Sequence, residues 1–185
     1  MSFESGEVIS KALKKRNLLK YLGIGAVAGG VGLFSKQKAE AATNTYAFVH
    51  GLSVWVERPD LTTSIYRQGF ATTIQGQPNT NNLFHFAIPT VVPSTNVRLT
   101  GGIVNFTTGS SNVVVKSLGL YIFTERVAAI DNLNLYGANQ GGYLPVNPPR
   151  YPGAAVTLSV GVSFGSGSAG YVQFFQAAGI FDNIV

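Results

Sequence analysis

Between Val156 and Phe164, the apolar residues Val156, Leu158, Val160, Val162 and Phe164 alternate with Thr157, Ser159, Gly161 and Ser163. Alternation with period two is strand geometry. A helix would scatter those five apolar side chains around its circumference. The same rhythm predicts further strands over Ala47–Glu57, Ser64–Ile74, Leu83–Ile88, Val97–Thr107, Val113–Thr124, Val127–Asn132 and Gly170–Ala177. The breaks, such as "RPDL", "QGQPNTNN", "PTVVPSTN" and "TGSSN", concentrate Gly, Pro, Asn and Ser, the residues that satisfy turn geometry. About eight short strands and no helical period predict an all-β domain, a single antiparallel β-sandwich of jelly-roll-like type. Val113–Val115 and Val127–Ile130 are apolar at successive positions, which predicts strands that are central or covered on both faces. Pro145–Pro152 holds four prolines. Each removes a ladder donor, so the stretch is expected to be an exposed loop and not an internal strand.

The first 41 residues follow a different pattern. A basic run from Lys11 to Lys20 precedes the uncharged stretch Tyr21–Phe34, and Ala39-Glu40-Ala41 fits a small-residue cleavage site. This is the order of a signal peptide. Fourteen uncharged residues span about 21 Å as a helix, short of a roughly 30 Å hydrocarbon core. "KRNLLK", Lys15–Lys20, resembles the twin-arginine export motif, with Lys15 in place of its first arginine. The expected division is a leader over 1–41 and a β-sandwich over 42–185, delivered to the periplasm or outside the cell.

Charge follows that division. The whole chain carries a formal +5. The leader holds seven Lys/Arg against three Glu, and the remainder holds six Arg/Lys against five carboxylates. The folded part is nearly neutral, which leaves no basic stripe for nucleic acid. With no cysteine, disulfides, thiolate metal sites and cysteine nucleophiles are excluded. No phosphate-binding glycine loop, nucleophile elbow or paired-histidine zinc motif occurs, and no cofactor is implied.

A few side chains remain as candidates. Leu52, Val54 and Val56 share one parity, which sets Trp55 and Glu57 on the other, wetter one. An exposed indole beside a carboxylate suits a sugar, because the ring covers C–H groups while the acid accepts hydroxyl protons. In Leu83–Ile88, Phe84, Phe86 and Ile88 claim the core and His85 faces away. Arg67 is a candidate partner for Glu57 or for an anion. The ligand-binding set is therefore Trp55, Glu57, Arg67 and His85, and no catalytic residue stands out. His50 and His85, with Glu57 or Asp60, are a weaker metal-ligand set. An unbroken strand turns His50 inward with Leu52 and Val54, unless Gly51 hosts a bulge.

Blocks "VHGLSVWVE", "IYRQGFATTIQGQPNTNNLFHFAIPTVV", "VGVSF" and "FFQAAGIF" resemble a family of uncharacterised bacterial exported β-proteins. The resemblance implies one exported β-sandwich domain and supplies no catalytic residue. The leading functional expectation is a non-catalytic exported domain that binds a saccharide or another envelope component. Its alternatives are a self-assembling envelope subunit, or a hydrolytic or metal-dependent enzyme built on His85.

Overall fold

The computed structural model describes residues 44–90, 96–167 and 170–183. The expected leader, 1–41, with its twin-arginine-like segment, lies outside the described residues. The rest is an antiparallel β-sandwich. Its larger sheet has the order β3 (Thr62–Gln68), β4 (Ala71–Gly76), β11 (Tyr171–Asn183), β6 (Val97–Thr108), β9 (Gln140–Arg150), with β1 (Thr45–His50) also paired to β11. The smaller sheet has the order β2 (Trp55–Val56), β5 (Thr80–Ile88), β10 (Val156–Phe164), β7 (Val113–Ile122), β8 (Glu125–Ile130). Among the described residues no helix is long and apolar enough to cross a membrane.

The core lies between the sheets and is built from the inward parity of each strand. Phe84, Phe86 and Phe164 enter from the smaller sheet, and Phe106, Phe174 and Phe181 from the larger, all essentially inaccessible to solvent. Phe174 packs against both Phe84 and Phe86, with ring centroids 5.3 and 5.4 Å apart. Tilted and edge-on aromatic pairs of this kind add to the gain from burying their area.

Eight expected strands become eleven for three local reasons. The Ala47–Glu57 strand is broken by a 3-10 turn at Gly51–Ser53, so β1 joins the larger sheet and β2 the smaller. Gly51 permits the crossing, because a Cβ there would lie 2.0 Å from the Phe174 carbonyl oxygen. The Ser64–Ile74 strand folds back on itself, with Gln68 paired to Ala71. The third is β9, which takes in Pro145, Pro148 and Pro149 of the stretch expected to be a loop. Gly142, Leu144 and Val146 alternate into the core along it. It forms the rim of the larger sheet, where a proline costs least. Its ladder with β6 is interrupted between Pro145 and Arg150.

Two further expectations are corrected. Val127–Ile130 is neither central nor covered on both faces: β8 is the rim of its sheet, and its residues are half-buried or exposed. His50 is exposed, not inward, because the chain turns directly after it. Its Nδ1 accepts the Leu52 N–H at 3.1 Å and so caps the turn.

Candidate functional site: the outer face of the smaller sheet

Strand parity decides which side chains leave the core, and register decides which of them meet. On the smaller sheet Trp55 pairs with His85, His85 with Ser159, and Ser159 with Gly119. These four residues form one row across β2, β5, β10 and β7 on the face away from the core. The next row is Glu57, Leu83, Gly161 and Ser117, joined at its start by the Glu57 N–H to the Leu83 carbonyl at 3.0 Å.

Hydrogen bonds at His85 tie the first row together and join it to the second. His85 Nε2 lies 2.9 Å from Glu57 Oε2, and Nδ1 lies 2.8 Å from Ser159 Oγ. An ionised carboxylate only accepts, so Nε2 carries a proton. In the neutral ring, Nδ1 then accepts from the serine hydroxyl. The imidazole is thus held at both nitrogens, and it holds one Glu57 oxygen in turn. Glu57 Oε1 has no partner among the described residues and remains available as an acceptor. The Trp55 indole is 63% exposed, with its centroid 5.5 Å from the His85 ring at an interplanar angle of 34°. The far end of the row is closed by Tyr121, whose ring leans over Gly119, a Cβ there lying 3.0 Å from it.

The second row lines a cleft of about 330 Å³, with Arg58 and Lys116 among its other residues, and the first row with Trp55 and His85 lies beside it. Its floor is low because Gly161 carries no side chain; a Cβ would sit 2.3 Å from Ser117 Oγ. Lys116 reaches the cleft through an irregularity of β7. Ser117 pairs with Gly161 and Val115 with Val162, so Lys116 is an extra residue in the ladder. Bulges of this kind re-aim side chains.

Asn82 fixes the wall. Its amide is buried, accepts the Arg58 N–H at 3.1 Å and donates to the Arg58 carbonyl at 2.7 Å, which clamps the backbone next to Glu57. The Arg58 guanidinium is spent on Asp60 through two hydrogen bonds of 3.0 and 2.7 Å. That contact holds the Asp60 carboxyl below the usual aspartate range. The folded pKa is depressed, so the pair contributes its stability above about pH 3.9 and loses it as pH falls through the lower folded value. Carbon-13 NMR titration of Asp60 is expected to give a midpoint below that of ordinary aspartate, and Arg58→Gln is expected to raise it.

Of the residues singled out from sequence, Trp55, Glu57 and His85 come together. Arg67 does not belong with them. It lies on β3, at the rim of the other sheet, where the middle residues are exposed on both faces, and it makes no ion pair with Glu57. Nor do the two histidines meet. His50 ends a strand of the larger sheet and His85 lies within the smaller, and no cluster of three metal-ligating side chains exists among the described residues. Sequence reasoning missed Ser159, Asn82, Ser117 and Lys116. The one available signal was Lys116 itself, a lone charge inside "VVVKSLGL".

Comparison with solved structures finds distant likenesses. A low-affinity xylan-binding module, CBM86, from Roseburia intestinalis shares 8% identity over 73% of this chain and 94% of its own, with a TM-score of 0.47. The Stig cyclase Fisc from Fischerella sp. TAU shares 10% identity over 74% of this chain and 88% of its own, at 0.46. A carbohydrate-binding module of family 29 shares 12% over 75% and 88%, at 0.37. Binding modules and a cyclase stand side by side at these levels, so function is argued below from this chain's own residues. No curated protein matches it in sequence. In sequence, the chain belongs to a family of unknown function, DUF6623, which matches residues 43–180.

Proposed function

We propose that this is an exported, non-catalytic domain that binds a saccharide across the outer face of its smaller sheet. The observation that carries the reading is the Trp55–His85–Glu57 arrangement: a 63% exposed indole beside a carboxylate locked by a 2.9 Å hydrogen bond. A sugar ring offers an apolar C–H face and a rim of hydroxyls. The indole covers the first, and Glu57 Oε1, with the Ser117 hydroxyl along the same row, meets the second. Three strand spacings separate Trp55 from Gly119, about 14 Å, which accommodates an oligosaccharide lying across the strands. Export rests on the leader sequence.

The Ser159–His85–Glu57 relay has the donor–acceptor order of a hydrolytic triad, which favours a second reading, hydrolysis. The sheet opposes it. Ser159 is only 6% exposed and lies in ladders on both sides. Those ladders occupy the backbone N–H groups that an oxyanion hole would need.

The test is affinity electrophoresis and calorimetry of the protein against neutral and acidic oligosaccharides, with ester hydrolysis assayed in parallel. Saturable binding without turnover is expected. Glu57→Gln should weaken it about tenfold, the loss of one charge-assisted hydrogen bond. Absence of binding across the panel would overturn the reading. Turnover abolished by Ser159→Ala would favour the second.

A further inference from the structure

Resting on the saccharide reading, we propose that the bound sugar is anionic, a uronate-type saccharide whose carboxylate is held by Lys116. The cleft is electrically asymmetric. At one wall Glu57 faces His85 and presents an acceptor. At the other, on β7, whose backbone lies three strand spacings from β2, or about 14 Å, Lys116 lines the cleft and carries donors and a positive charge. The bulge that puts Lys116 there departs from the ladder at that residue.

The cations of the described residues are otherwise committed or remote. Arg58, Arg98, Arg126 and Arg150 each have a carboxylate within salt-bridge distance: Asp60, Asp182, Asp131 and Glu125. Arg67 is on the other sheet. Lys116 has only the Asn134 side-chain oxygen, at 3.4 Å, a long and neutral contact. Its charge therefore has no carboxylate partner among the described residues, and the residue lines the cleft.

The occupant's class follows from the donor set. A phosphate is usually met by a guanidinium fork or by a run of free backbone N–H groups. Here the nearest guanidinium is closed by Asp60, and the floor of the cleft is paired strand. A single ammonium suits one singly charged group. A sugar acid supplies it while keeping the C–H face that Trp55 needs and the hydroxyls that Glu57 needs. Gly161 and Ser117 leave the floor clear between the two ends.

The experiment compares uronate tetrasaccharides of several epimers (galacturonate, glucuronate, mannuronate) with their methyl esters and with a sulfated tetrasaccharide. The full protein is titrated calorimetrically at low and high salt. At least one uronate is expected to bind about tenfold more tightly than its methyl ester, and the preference should shrink with salt. Lys116→Gln is expected to bring the ratio close to unity, mainly by weakening the uronate. Because Lys116 is exposed, the variant keeps the fold, checked by its melting curve. Equal binding of acid and ester, or a preference that survives Lys116→Gln, overturns the charge assignment and leaves the saccharide reading standing. Tighter binding of the sulfated sugar overturns the carboxylate. Binding of none of them overturns both.

Discussion

Replacing Trp55 by alanine is expected to weaken saccharide binding by more than about thirtyfold, the equivalent of about 2 kcal/mol for an aromatic anchor. The melting temperature should fall by less than about 4 °C. The two expectations come from the same fact. An indole that is 63% exposed contributes little to folding, since substitutions away from the core cost about 0.5 kcal/mol or less. The surface it leaves open is what a sugar ring covers. Trp55→Phe should restore part of the affinity, because a smaller ring still offers an apolar face. Calorimetry with the best-binding oligosaccharide measures the loss, and a thermal melt separates it from unfolding. If Trp55→Ala lowered both affinity and stability severely, the indole would be a packing residue and the platform would be elsewhere.

Replacing Phe174 by alanine is expected to cost about 3–5 kcal/mol and to lower the melting temperature by roughly 10–20 °C. Phe174 is fully buried and touches both Phe84 and Phe86 across the sandwich, so its removal opens a cavity between the sheets. The neighbouring Phe175 provides the contrast. In the β11–β6 pairing Phe174 is opposite Phe106 and Gln176 is opposite Asn105, so Phe175 is an extra residue and only half-buried. Phe175→Ala is expected to cost much less. Urea denaturation of the two variants distinguishes them. Equal losses would mean that the bulge lies elsewhere.

That bulge also shows what could be read in the sequence and what could not. Period-two alternation placed Phe84, Phe86, Leu158 and Val160 in the core and turned Trp55, Glu57 and His85 away from it, as the structure has them. Alternation reports a face, however, and not which sheet the face belongs to. Arg67 illustrates the limit, because nothing in "SIYRQGF" reveals that β3 is the rim of the larger sheet. Pairing carries the missing part. Trp55 meets His85 through a register between β2 and β5, and Ser159 joins them through a second register, from β10.

Interruptions of the rhythm were equally hidden. Gly51 reads as a possible bulge; in the structure it is a 3-10 turn that carries the chain from one sheet to the other. Its close approach to the Phe174 carbonyl is a tertiary fact. The insertion at Lys116 is visible only once Val115 and Ser117 have partners. In the proline-rich stretch, Gly142, Leu144 and Val146 alternate into the core beside prolines that the sequence alone reads as a loop. Proline excludes an internal strand, and a sheet rim tolerates it.

The central claim is that a ligand occupies the outer face of the smaller sheet. Its most direct test is amide and indole chemical-shift mapping by NMR during titration with the best-binding oligosaccharide. Saturable shifts are expected at the Trp55 indole N–H and at amides of β2, β5 and β10 around His85, Leu83 and Gly161. Shifts confined to the larger sheet, or a Trp55 signal that stays fixed while binding saturates, would contradict it.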